Sequence, residues 1–214
     1  MKHVSKIVFC LIIVIFVFGG CLGPKHPDKK IDYYTIEYAP PKAKGFTPLP
    51  VIIRIGPFQV APLYNSERIV FSEKPFQRDT YNYHRWRANP GDLVTYFLAR
   101  DMKQSAIFQA VFAVESPLSH THAIEGAVED FYELDGKDSW EAVLGVSITL
   151  IAENEPDVTK RILFQKKYLE REACRQKNPR ALAEAMSSAM ARMSETIITD
   201  IHEHLAESRP KLEQ

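Results

Sequence analysis

The stretch HAIEGAVEDFYELDGKDSWEAVLGVSITLIA, His122–Ala152, decides the fold. Apolar and polar residues alternate over His122–Leu134 and again over Trp140–Ala152, the period-two pattern of a half-buried strand. Asp135-Gly136 between them is a hairpin turn pair. In the second strand Val143, Gly145, Ser147, Thr149 and Ile151 share one face. Leu144, Val146, Ile148 and Leu150 share the other, which is the face predicted to be buried. A long hairpin with one apolar face needs a second layer to cover it.

That layer is encoded downstream. Asn178-Pro179 is a helix start, and Leu182, Met186, Met190, Met193, Ile197, Ile201 and Leu205 then recur at three- and four-residue spacing. This predicts an amphipathic C-terminal helix of roughly 28 residues, ending before Pro210, with its methionine stripe turned to the core. Arg161–Glu172 reads as a third strand of the meander rather than a helix, because Ile162 and Phe164 sit at period two after the turn Asn154–Asp157.

Upstream, Asn89-Pro90 with Asp92 in the first turn starts a second helix. It is expected to run to about Ser105 with Leu93, Phe97 and Leu98 turned inward, and to lead into a strand at Phe108–Val114 as a β-α-β unit. Tyr33–Tyr38 and Val51–Ile55 read as strands, separated by the proline-rich connector Ala39–Pro50. Phe58–Val60 and Arg68–Phe71 are expected to form a strand pair around the turn Pro62–Glu67, and Phe76–Trp86 a strand plus loop. The expected fold is therefore a single α/β domain: a mixed β-sheet of roughly six to eight strands with two main helices, the long one C-terminal.

Ahead of this domain, Lys2 and Lys6 precede the apolar run Ile7–Phe18, and Phe18-Gly19-Gly20-Cys21 closes it. The run has 12 residues and its uncharged extension to Leu22 has 16, a signal-peptide length and short of a membrane span. Two small residues before a cysteine match the bacterial lipobox. Residues 1–20 are then a lipoprotein signal peptide, and Cys21 carries acyl chains that anchor the protein stably when two or more are present. The alternative is an uncleaved N-terminal anchor that happens to contain cysteines. Residues 21–31 would be the lipid-anchored tether and residues 32–209 the folded domain. The nine residues Leu22–Lys30 reach at most ~30 Å. Leu22, where an aspartate would favour retention in the inner membrane, points to the outer membrane.

Cysteine use fits this reading. With Cys10 discarded and Cys21 lipidated, only Cys174 remains, so an internal disulfide is excluded. Cys174 is expected to be a small buried hydrophobe, the other possibility being an intermolecular thiol. The chain balances 27 basic against 27 acidic residues, and loss of Lys2 and Lys6 leaves 25 against 27, with no electrostatic footprint for nucleic acid.

Catalytic and metal motifs are weak. His120-Thr-His122 places two imidazoles on one side of a strand without a third ligand of usable spacing, and an exposed loop pair is the expectation. His202-Glu-His204 has the wrong helical spacing for a zinc site and reads as a solvated face. Glu129-Asp130, adjacent in a strand, are expected on opposite faces. There is no Gly-x-Ser-x-Gly elbow, no phosphate-binding glycine loop and no cofactor motif beyond the acyl chains on Cys21. The densest aromatic and basic cluster is Tyr81–Arg87, of a kind that suits partner interfaces.

Several segments together resemble the ABC-type transport auxiliary lipoproteins of the PqiC/YmbA kind. They are Tyr33-Tyr-Thr-Ile-Glu-Tyr38, Ile53-Arg-Ile-Gly-Pro-Phe58, Val60-Ala-Pro-Leu-Tyr-Asn-Ser-Glu-Arg-Ile-Val-Phe71 and Tyr83-His-Arg-Trp86 leading into Asn89-Pro90. The resemblance spans about Tyr33–Phe112. It implies a non-catalytic, periplasm-facing lipoprotein that docks at a membrane, with the possibility of a homo-oligomeric ring. The implied partners are an ABC permease and ATPase and a substrate-binding protein of the mammalian-cell-entry type, moving lipids or hydrophobic solutes across the envelope. Expected interface residues are Tyr64, Arg68, Tyr83, Arg85 and Trp86. The alternatives are an outer-membrane assembly factor or a ligand-binding lipoprotein, with a lipid-anchored hydrolase disfavoured.

Overall fold

The computed structural model describes residues 30–42, 45–113, 118–137 and 139–208. The expected signal peptide, Cys21, Leu22 and the expected tether as far as residue 29 lie outside the described residues. The strands are β1 (Asp32–Tyr34), β2 (Leu49–Ile55), β3 (Gln59–Val60), β4 (Arg68–Ser72), β5 (Asp79–Trp86), β6 (Phe108–Ala113), β7 (His122–Asp135), β8 (Trp140–Ala152) and β9 (Ile162–Ala173). The helices are α1 (Pro90–Ser105) and α2 (Pro179–Glu207).

Both helices start as their Asn-Pro signals dictate. The Asn89 side chain accepts from the Gly91 amide at 3.0 Å, and Asn178 accepts from the Ala181 amide at 2.9 Å. Each satisfies an amide the first turn leaves without a partner, while proline fits the next position at no hydrogen-bond cost. Met186, Met190, Met193, Ile197 and Ile201 are fully buried along α2. α2 packs on β8 and β9, α1 packs on β6 and β7, and the two helices touch each other.

The nine strands form one mixed sheet, organised around β7. One edge of β7 pairs antiparallel with β8 along nearly its whole length, and β8 pairs antiparallel with β9. The other edge is covered by three short strands in succession, all parallel to it: β2 at His122–Ile124, β3 at Ala127–Val128 and β4 at Glu133–Leu134. β6 pairs parallel with β2, β5 pairs antiparallel with β4, and β1 pairs parallel with β5.

The register of β7 shifts between Val128 and Asp130. Such a bulge adds one residue and reverses which parity faces the core. Val128 is buried before it and Phe131 after it, where Phe131 meets Trp86 edge-to-face at 5.1 Å. Glu129 and Asp130 consequently lie together rather than on opposite faces: Lys167 Nζ sits 2.6 Å from Glu129 and 3.5 Å from Asp130. Leu144, Val146, Ile148 and Leu150 of β8 are buried as the alternation predicts, and Val143 on the opposite face is buried as well.

Other expectations are corrected. Gln59–Val60 and Arg68–Ser72 do not pair with each other, because each is taken up by the free edge of β7. β6 closes its parallel pairing with β2 rather than with β5, the strand directly before α1. The strand read as Tyr33–Tyr38 stops at Tyr34. Beyond it the chain is drawn onto the helices: the Glu37 amide donates to Ser187 Oγ at 2.9 Å, Ile36 is buried, and the Tyr38 hydroxyl donates to Asp101 Oδ2 at 2.5 Å. Phe76–Trp86, read as a strand plus loop, is a strand from Asp79 to Trp86 preceded by a turn.

Gly126 and Gly145 test how tightly the layers meet. A Cβ on Gly126 would run into the Phe58 ring and sit 2.7 Å from the Ser147 carbonyl oxygen, and on Gly145 it would sit 2.8 Å from Asp130 Cβ, an atom fixed to the backbone. Overpacking a fixed neighbour costs about 1–3 kcal/mol. Gly126→Ala and Gly145→Ala are therefore each expected to lower the denaturant midpoint, read from equilibrium unfolding of the two variants.

Candidate docking surface

The five residues singled out from sequence do not share one environment. Tyr64 is buried and stacks face-on over Tyr132 at 5.8 Å, and the Arg78 guanidinium covers the same Tyr132 ring at 4.4 Å. Burial raises the Tyr64 hydroxyl above its ordinary value, so it stays protonated. Trp86 is 1% exposed, and its amide donates to the Glu67 carbonyl at 2.7 Å. In this chain both aromatics fill the space between β4, β5 and β7. Arg68 and Tyr83 are exposed and Arg85 is half-buried. Arg68 lies opposite Arg85 in the β4–β5 ladder, so two cations share one surface with Tyr83.

Three contacts elsewhere share one device, a tyrosine hydroxyl donating to a carboxylate. Tyr38 donates to Asp101, Tyr81 donates to Glu133 at 2.9 Å, and Tyr168 donates to Asp200 at 2.7 Å. Burial raises all three phenols, which keeps them protonated as donors. Arg100 completes the first pair at 2.7 Å from Asp101, and Lys166 the third at 2.6 Å from Asp200. These pairs fasten the β1–β2 connector to α1, β5 to β7, and β9 to α2.

No group of three or more potential metal ligands occurs among the described residues. His120 precedes β7, so the two imidazoles of His120 and His122 do not share a strand face. Arg54 Nε donates to His120 Nε2 at 3.1 Å, and Glu153 lies 3.6 Å away. His202 is buried rather than solvated: its Nε2 donates to the Thr47 carbonyl at 2.8 Å, and its ring meets Phe46. Cys174 is half-buried against the core, as expected for a small hydrophobe.

One surface feature escaped the sequence reading. A groove of about 830 Å³ opens between the β4–β5 turn and the β7–β8 hairpin, lined by Leu63, Pro75, Phe76, Arg78, Leu134 and Ser139 among others. Phe76 and Leu63 stand exposed on its rim. The available signal was a lone aromatic in the polar turn Glu73-Lys-Pro-Phe-Gln-Arg78. Among the described residues no helix is long and apolar enough to cross a membrane.

Two measurements test this electrostatic picture. Burial and the nearby Glu133 charge push the Cys174 thiol up to about 12. A thiolate reagent at pH 8 should leave the Cys174 peptide unlabelled in the native protein and label it fully in denaturant, as read by mass spectrometry. Burial also raises the Glu133 carboxyl above its ordinary value. A carboxyl raised by folding loses stability as pH rises from its unfolded value through its folded one. Glu133→Gln keeps an acceptor for Tyr81 and removes that loss, so the variant should be stabilised at pH 8 and indistinguishable from the parent at pH 3 in thermal melts.

The model of the ABC-type transport auxiliary lipoprotein component family matches residues 34–198. No curated protein matches. Among solved structures, a Xanthomonas campestris protein of family DUF330 superposes with a TM-score of 0.74 at 14% identity, covering 83% of this chain and 99% of its own. An uncharacterised protein follows at 0.63 and 11% identity, covering 80% and 99%. The hypothetical protein CT253 of Chlamydia trachomatis gives 0.50 at 7% identity, covering 75% and 100%. At these identities the likenesses establish the fold.

Proposed function

Because the chain belongs to the ABC-type transport auxiliary lipoprotein family, we propose that it is a non-catalytic docking subunit of an envelope transport system, held to its membrane by acyl chains on Cys21. The observation that carries this is the family match over residues 34–198, which takes in almost the whole described sheet, all of α1 and the first two thirds of α2. The reading adds a mammalian-cell-entry type protein and an ABC permease and ATPase as partners, and lipids or other hydrophobic solutes as cargo. It faces the periplasm, from the outer membrane given Leu22, and a ring of identical subunits suits the docking role.

Structure supports a binding role in two ways. The buried acids Asp101 and Glu133 are each bonded to a tyrosine within the fold, as is the less buried Asp200. The surface of β4 and β5 offers the paired cations Arg68 and Arg85 beside Tyr83, the residue types that anchor interfaces. Tyr64 and Trp86 serve this surface from beneath, by fixing β4 and β5 against β7.

The test is copurification. The tagged, lipidated protein is lightly crosslinked, extracted in mild detergent, and its companions are identified by mass spectrometry. A mammalian-cell-entry type protein or permease subunits should be recovered, and at least tenfold less of them with Arg68→Glu/Arg85→Glu, a surface double variant that keeps the parental melting temperature. Recovery of an outer-membrane barrel alone, or of the same partners from the double variant, would overturn the partner assignment or the surface respectively.

A further inference from the structure

Phe76 is 105% exposed, as open as in an extended peptide. It also holds φ +64°, in the left-handed region that bulky residues avoid. The turn around it is tightly fixed. Ser72 Oγ lies 3.1 Å from the Lys74 carbonyl and 3.0 Å from that of Gln77, and it accepts from Arg78 at 2.8 Å. The Gln77 amide donates to the Lys74 carbonyl at 3.2 Å. A strained, fully solvated phenylalanine on a rigid turn is costly unless something covers it. Leu63, 66% exposed, stands on the same groove. Lys74 and Lys137 are exposed on the two turns that bound it.

The direction in which the chain enters the domain identifies the occupant. β1 runs parallel to β5, with Asp32 opposite His84 and Tyr34 opposite Trp86. Followed backwards, β1 therefore points along β5 towards Asp79 and the Phe76 turn. His84 and Phe76 are eight residues apart, about 26 Å at strand spacing. The eleven residues from Cys21 to Asp32 span at most ~36 Å. An anchor on that segment keeps the bilayer within reach of the end of the sheet that carries Phe76 and Leu63. The opposite end carries the β8–β9 turn, where the exposed Val158 sits between Asp157 and Thr159.

We infer that the Phe76 turn, with Leu63, enters the interface of the bilayer in which the protein is anchored, and so sets the orientation of the domain on it. The aromatic ring lies at the level of the headgroups, the depth that amphipathic and aromatic side chains favour, and Lys74 and Lys137 face lipid phosphates. This inference rests on the lipoprotein reading. It turns a flexible tether into a two-point attachment, with the β4–β5 surface held at a defined height.

The experiment uses the full lipidated protein in vesicles of phosphatidylethanolamine and phosphatidylglycerol. An environment-sensitive dye is placed on Phe76→Cys or on Val158→Cys, each in a Cys174→Ala background. Both sites are exposed, so neither should perturb folding. The dye at position 76 should shift to the blue and be quenched several-fold by lipids brominated near the headgroup, while the dye at 158 keeps its aqueous spectrum. An aqueous, unquenched dye at 76 on floating, acylated protein overturns this inference alone. So does a blue shift that depends on protein concentration, which would assign the turn to a second copy. Absence of acyl mass on the Cys21 peptide removes the lipoprotein reading and this inference with it.

Discussion

A strand inside a sheet must satisfy hydrogen-bonding groups on both of its edges, and β7 imposes this requirement on the rest of the molecule. Its fourteen residues from His122 to Asp135 give one edge to β8. No comparable strand is available for the other edge. Three short ones share it, and all three run parallel to β7. Parallel neighbours need long crossovers. That requirement explains why the chain between β2 and β7 is so long, and why α1 is reached before β6 returns to pair with β2. The order of elements in the first half follows from what the second half leaves unpaired.

The bulge at Glu129 and Asp130 adjusts this framework locally. It passes the buried parity from Val128 to Phe131, so that Phe131 reaches Trp86 while both acids meet Lys167 on the other side. A similar economy governs the buried polar groups. Tyrosine hydroxyls reach carboxylates from neighbouring elements and join segments far apart in sequence without leaving a naked charge in the core. The outcome is a body in which distant segments are tied together, with Arg68 and Tyr83 exposed on the surface of β4 and β5.

The legible parts of the fold were those governed by local periodicity. The β7–β8 hairpin, β9, both Asn-Pro helix starts and the methionine stripe of α2 were all readable, because period and capping are properties of neighbouring residues. Partnership was less readable. Phe58–Val60 and Arg68–Phe71 look like a hairpin locally, yet the free edge of β7, some sixty residues downstream, outcompetes that pairing. For the same reason Glu129 and Asp130 were assigned to opposite faces, since the bulge arises from register with β8. Interface residues were the hardest to read. Tyr64 and Trp86 carry the composition of a contact surface but are buried by β7 and its neighbours, and His202 looked solvated because its partner Thr47 lies 155 residues away. Side-chain chemistry names what a residue can bind; only the long-range pairing decides whether it faces outward.

The parallel pairing of β2, β3 and β4 with β7 also dictates an order of assembly. Ile53 finds its partner His122 only when the chain has been extended by a further 69 residues. While the chain emerges N-terminus first, β2 to β6 have no long strand to nucleate on, and their apolar faces stay open. The meander β7–β9 with α2 is built from local contacts and can close quickly once it is made. Maturation is thus gated by the last-made half, and the first-made half is a dependent of it for the whole of synthesis. A chain of this design needs shielding of its leading segments until its trailing ones arrive.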